Sequence, residues 1–234
     1  MQDAPHTLSI FDEDLDQLRA LVSEIGGRVE ALIRESVTAL VRGDEGQALA
    51  VIESDRRIDQ LAAEIERHAN RLIALRMPLA GDLRDVLASI KISMLISRMG
   101  DCAKNIGHRV PLVGDSRACD QVKLIQALEA EVSAMVKAAL DGFVDRSPEA
   151  AIQVRDRDDK ADDYHACIFR GLVAYMQDHP DRIPEAAHLL IVAQKLERIG
   201  DHATAIAEMV HFALTGTHMP AAAVPDGGSL MAAG

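Results

Sequence analysis

The sequence predicts an all-α protein built as two tandem three-helix bundles, six long helices in all, and three observations predict it. The composition is 48% hydrophobic but only 3% aromatic with no Trp, which favours Leu, Ile, Val and Ala packed on helices over an aromatic-rich sheet. Apolar residues recur in steps of three and four, the spacing of one helix face. The same three-segment plan then runs through a second time. At 234 residues the chain is long enough to bury a core without disulfide or metal staples.

After a leading segment at residues 1–8, the first helix is predicted over about residues 9–41, where Leu15, Leu18, Val22, Ile25, Val29, Leu32, Val37 and Leu40 form one stripe. Gly26 and Gly27 fall inside it and suggest a close helix crossing or a bend. Gly43-Asp44-Glu45 interrupts the pattern, and a second stripe through Val51, Asp55, Ile58, Ile65 and Leu72 ends near Met77-Pro78. A third helix runs over about residues 81–110 and is closed by Pro111. The plan repeats with helices over about 119–144, from after Pro148 to 177, and 184–214, separated by short breaks at 146–148 and 178–180. The first bundle therefore spans 9–113 and the second 114–215, each up-down-up because its joints are short, with the two stacked or joined end to side. Residues 216–234, rich in Ala, Gly and Pro, carry no periodicity and are expected to be disordered.

Twenty-five Lys and Arg against 37 Asp and Glu give a formal charge of −12, which repels nucleic-acid phosphate and anionic lipid, so neither is an expected partner. Cys102, Cys119 and Cys167 form no CxxC pair, and no basic-then-apolar leader opens the sequence, so a cytoplasmic location is expected. The longest apolar stretches, such as 186–193, are broken by His188 and fall short of the about 20 residues of a membrane span, so no direct membrane insertion is expected.

Carboxylates stand at i,i+4 spacing at Asp55/Asp59, Asp158/Asp162, Asp159/Asp163 and Glu197/Asp201. Like charges so placed cost an isolated helix roughly 0.2–0.5 kcal/mol per pair and call for a compensating partner. Arg56, Arg57, Arg155, Arg157 and Lys160 supply one reading, a neutralised solvated face. A bound cation supplies the other, and two features favour it. Asp55 lies in an apolar stripe, where an unpaired carboxylate is expensive to desolvate. In each half, moreover, the acidic pair is followed about 40 residues later by Arg98-Met99-Gly100-Asp101 or Arg198-Ile199-Gly200-Asp201, on a helix that runs back alongside. Oxygen-rich clusters of this kind suit Mg, Mn, Fe or Zn, the hard and borderline cations. Glu185-Ala186-Ala187-His188 has the Glu-x-x-His spacing of di-iron bundles, but only one copy is present, and His202 beside Asp201 reads as structural first. Gly-rich phosphate loops, nucleophile elbows and Cys–His pairs are missing, so catalysis is not expected.

At the repeated motifs the chain resembles the PhoU family, accessory regulators of high-affinity phosphate transport. The resemblance covers about residues 8–215 and is carried by Asp55-Arg56-Arg57-Ile58-Asp59, Asp158-Asp159-Lys160-Ala161-Asp162, Arg98-Met99-Gly100-Asp101 and, most specifically, Glu197-Arg198-Ile199-Gly200-Asp201-His202-Ala203. It implies a cytoplasmic homodimer that holds back phosphate uptake and starvation signalling by contacting the phosphate ABC transporter's ATPase subunit and a sensor histidine kinase. It also implies metal clusters, one per half, with Asp55, Asp59 and Asp101 as ligands in the first half and Asp158, Asp162, Glu197 and Asp201 in the second. The sequence departs from the family pattern at Ser97, where Glu is usual, and at Ala205, where Asn is usual. A weaker or smaller first-half metal site is therefore expected. The competing reading is a carboxylate-bridged metal or redox bundle, and a blander one is a helical scaffold whose acidic faces serve solubility and docking.

Overall fold

A computed structural model of the chain describes residues 4–219, and among them every long element is a helix. Helices α1 (Ala4–Arg42), α2 (Glu45–Arg76) and α3 (Ala80–Arg109) form the first half, and α4 (Gln121–Val144), α5 (Ala150–Asp178) and α6 (Ile183–Thr215) the second. α1 begins five residues before the apolar stripe predicts, at a point where Pro5 suits a first helical turn. Gly43 (φ 66°) and Asp44 make the α1–α2 turn, and the Asp44 carboxylate caps α2 by accepting the Gln47 N–H at 2.9 Å. α2 stops where Met77 (φ 48°) precedes Pro78, and α6 stops at left-handed Gly216. The connection from α3 to α4 is wound into two short 3₁₀ turns, Val110–Leu112 and Gly114–Ala118, which periodicity does not signal. The expected disorder of the tail falls, from residue 220 onward, outside the described residues.

The two halves lie side by side. α1 packs on α3, α3 on α6, α6 on α4 and α4 on α1, so these four helices close a ring, while α2 covers α1 and α3 and α5 covers α4 and α6. One continuous core fills the ring and its flanks, with Ile25, Ile65, Ile96, Met99, Ile125, Met135, Leu172 and Ile199 all fully buried. Each such side chain contributes about 1.5–3 kcal/mol of transfer free energy, which supplies the stability that the scarce aromatics do not. Gly26 marks the α1–α4 crossing, since a Cβ there would meet Leu140 Cδ1 at 2.7 Å, while Gly27 faces open space.

α3 and α6 run antiparallel: Arg84 Nε donates to the Ala213 carbonyl at one end, and at the other Arg109 lies 3.5 Å from His188 Nδ1. Midway along them the two Arg-x-Gly-Asp motifs meet across a local two-fold relation. Polar ties lock the arrangement. Buried Asp85 on α3 pairs with Arg19 of α1 at 2.8 Å and with Arg146 from the α4–α5 turn, joining the halves. Glu185 accepts the Ser116 N–H at 2.9 Å and pairs with Arg182, its carboxylate filling the space beside Gly114. The 3₁₀ linker is thereby fastened to the start of α6.

Candidate functional site

The α2–α3 packing brings Asp55, Asp59 and Asp101 to one groove, as their spacing predicts. Asp55 lies on the buried side of α2 at 1% exposure. Its Oδ2 accepts a 2.8 Å bond from Lys104 Nζ, one helical turn beyond Asp101 on α3. Its Oδ1 is buried without a hydrogen-bond partner and rests against Gly100, where a Cβ would sit 2.8 Å away. The motif glycine is therefore the seat of the Asp55 carboxylate. Asp59 accepts the Ser97 hydroxyl at 2.8 Å, so the serine, 100 positions before Glu197, is a neutral donor rather than a fourth anion. Burial and the nearby Asp55 push the Asp101 carboxyl above its ordinary value, while Lys104 pulls it down. Lys104 itself is held above the ordinary lysine range by its hydrogen bond to Asp55. A fixed ammonium is thus built into this cluster.

The α5–α6 groove carries Asp158, Asp162, Glu197 and Asp201 in corresponding places, with one substitution that changes its chemistry: Thr204 stands 100 positions beyond Lys104. Asp158 is pushed above the ordinary carboxylate value first by burial and then by Asp162; the Thr204 hydroxyl opposes the shift, and Asp201 and Asp159 add to it. Asp162 is raised by burial and then by Asp201. Glu197 lies 3.4 Å from His165 Nδ1, a histidine one turn beyond Asp162 that the motif reading passed over. Asp158 is half-buried where Asp55 is fully buried. At Gly200 the nearest atoms to an added Cβ are Met135 and Val132 of α4, at 3.6 Å or more, so no carboxylate is seated there. The second groove stands more open than the first and has no counterpart of the Lys104 ammonium.

Among the described residues no three His, Cys, Asp or Glu side chains form a ready metal-ligand group. The second-half carboxylates are neighbours on facing helices, not a closed coordination shell. As a donor set they fit a hard or borderline cation, because their strongest mutual influences are repulsive and a positive ion relieves them. The first-half set fits one poorly, because the Lys104 ammonium already holds Asp55 and an ammonium and a metal ion repel. Glu185 and His188 stand with neither cluster: Glu185 is spent on the linker, and His188 lies against Arg109, its pKa depressed by burial and then by that guanidinium. Lys104 is the residue that sequence reasoning missed as a site component. Its signal was a cation one turn beyond Asp101, legible only with the α2–α3 register in hand.

The PhoU domain family matches residues 22–110 and 125–210, once in each half. The chain is similar to the phosphate-specific transport system accessory protein PhoU homolog of Zymomonas mobilis, at 45% identity over 215 residues covering 92% of this chain and 91% of that one. The homolog so named from Caulobacter vibrioides is 42% identical, with 92% and 94% covered. The crystal structure of PhoU from Pseudomonas aeruginosa superposes with a TM-score of 0.84 at 32% identity, covering 88% of this chain and all of that one.

Two measurements probe these contrasts. Replacing a helical glycine by alanine gains about 1 kcal/mol of helix propensity where there is room. Gly200→Ala should therefore raise the urea midpoint, whereas Gly100→Ala, pressing on Asp55 Oδ1, should lower it; equal responses would remove the seat assigned to Asp55. The second concerns pH. A carboxyl whose folded pKa lies above its unfolded value leaves the folded chain holding more protons between the two values, so stability falls as pH rises through that window and stays lower above it. Asp158→Asn should accordingly raise the melting temperature of chelator-treated protein at neutral pH and flatten its decline over the acid range. A lower neutral melting temperature would show Asp158 to be compensated.

Proposed function

The chain belongs to the PhoU family, and on that footing we propose that it is an accessory regulator of phosphate-specific transport that holds uptake and the starvation response down when phosphate is plentiful. It acts by binding, as a homodimer, the ATPase subunit of the phosphate ABC transporter and a sensor histidine kinase. The observation that carries the reading is the paired family match: each half carries one PhoU domain, and relatives named as accessory proteins of that transport system align over more than nine-tenths of the chain. No described helix is long and apolar enough to cross a membrane.

Within this role the second groove holds the metal. Asp158, Asp162, Glu197 and Asp201 offer carboxylate oxygens to a hard or borderline ion such as Mg, Mn, Fe or Zn, which on binding would supply positive charge that bridges α5 to α6. The first groove makes the same bridge without metal. Lys104 reaches from α3 to Asp55 on α2 and fixes the helix pair by an ion pair with a buried carboxylate.

Deleting the gene should raise alkaline phosphatase activity in phosphate-rich medium, and a plasmid copy should restore repression; unchanged activity would sink the regulatory reading. For the metal, Mn(II) titrations of purified protein should lose their tight binding in Glu197→Ala and keep it in Asp101→Ala. Equal losses in the two variants would mean that both grooves bind, and Lys104 would then have to be displaced.

A further inference from the structure

Between α3 and α6, where the two Arg-x-Gly-Asp motifs meet, a cavity of about 420 Å³ opens to solvent. Its charge is opposite to that of the chain. Arg98, Lys195 and Arg198 line it, and among the described residues none of the three has an ion pair or a hydrogen bond. Elsewhere Arg19, Arg57, Arg76, Arg157 and Arg182 are all matched with carboxylates. Other cations of the chain also lack a carboxylate partner, but on a protein of net charge −12 the gathering of three of them around one opening needs an account. All three side chains line the same opening. Like charges so gathered repel unless an anion lies among them.

The wall also offers a neutral donor. His202 is half-buried and its Nε2 is enclosed without a hydrogen-bond partner, so an imidazole protonated there has an N–H to give. Asp101 and Lys104 line the cavity too, with the Lys104 ammonium already engaged by Asp55, so Asp101 is the one carboxylate among the lining residues. Two guanidinium groups, an ammonium and an imidazole N–H make a donor set for an oxygen-rich anion, since guanidinium presents paired N–H groups that match two oxygens of one tetrahedral centre. The local two-fold relation brings Arg98 and Arg198 to the opening from α3 and α6 respectively, so an anion held by both would bridge the halves.

We propose that this cavity is an oxyanion site that binds a phosphate group through Arg98, Arg198, Lys195 and His202. It is separate from the acidic grooves and does not depend on the regulatory role proposed above. A failure of one therefore leaves the other standing, because anion binding is read on purified protein and repression in cells.

The test is isothermal titration of the full chain with inorganic phosphate, in chelator to exclude phosphate bridged by metal and at constant ionic strength against chloride. Saturable binding at millimolar phosphate or below is expected, weakened about tenfold or more in Arg98→Gln/Arg198→Gln. Both arginines are exposed and unpartnered, so without phosphate the variant should keep the wild-type circular dichroism and melt no lower than the wild type. Phosphate should also raise the melting temperature of the wild type and not of the variant. Absence of binding to the wild type, or equal binding by the double variant, would overturn the proposal. Competition with ATP separates two sources of the group: displacement assigns the site to a phosphoryl group carried on a larger molecule, and no displacement assigns it to free phosphate, with the anion site upheld in both cases.

Discussion

Because α3 and α6 are buried against each other and against their outer partners at once, their antiparallel contact decides where every charged group of interest can stand. One face of each helix joins the shared core, one meets the other at the two-fold relation, and one meets α2 or α5. The Arg-x-Gly-Asp motif sits across these faces. Its arginine is left at the α3–α6 seam, its glycine at a helix contact, and its aspartate toward the acidic groove. A single four-residue pattern therefore serves cation-attracting and anion-attracting surfaces on adjoining positions of one helix, and the fold uses it twice.

The two copies have diverged in a way that charge explains. A carboxylate buried as deeply as Asp55 must be paired, since removing it from water without a partner costs several kcal/mol. In the first half Lys104 provides that partner at 2.8 Å, and Ser97 places a hydroxyl where another anion would overload the groove. In the second half Thr204 supplies no charge, Glu197 adds an anion, and α5 stands far enough from Gly200 that Asp158 keeps some water. The grooves differ accordingly: in one the deepest carboxylate is held by an ammonium, and in the other four carboxylates stand without one.

Much of this was legible in the sequence because helix periodicity reports burial directly. The stripe through Leu15, Val22 and Val29 located α1, Pro111 and Pro148 bounded their neighbours, and the position of Asp55 between Ile52 and Ile58 placed it on the buried face where it is found. What stayed hidden depends on register between elements. Lys104 looks like a solvated residue until α2 is laid beside α3 and its ammonium reaches Asp55. The pairing of Glu185 with Ser116 and Arg182 spans the linker, so the Glu-x-x-His string could be read for a ligand motif when its first member is a structural tie. The side-by-side packing of the halves likewise left no one-dimensional trace, since apolar residues on a second face of α3 and α6 read only as generally hydrophobic helices.

The seam and the second acidic groove are physically joined through α6. Arg198 and Asp201 stand three residues apart, on adjacent positions of the helix surface, with the arginine at the cavity and the aspartate at the groove. A cation among Asp158, Asp162 and Asp201 would remove negative potential that now opposes an anion at Arg198, and an anion at Arg198 would do the reverse for the cation. Coupling of this kind is reciprocal by thermodynamic necessity, and at such a separation it is weakened by salt but not abolished. In the first half Arg98 and Asp101 have the same spacing, but Lys104 already supplies positive charge to that groove through its pair with Asp55, so less repulsion is left there for a cation to relieve. The asymmetry between the repeats thus makes α6 the helix where the charge of one site changes the affinity of the other most.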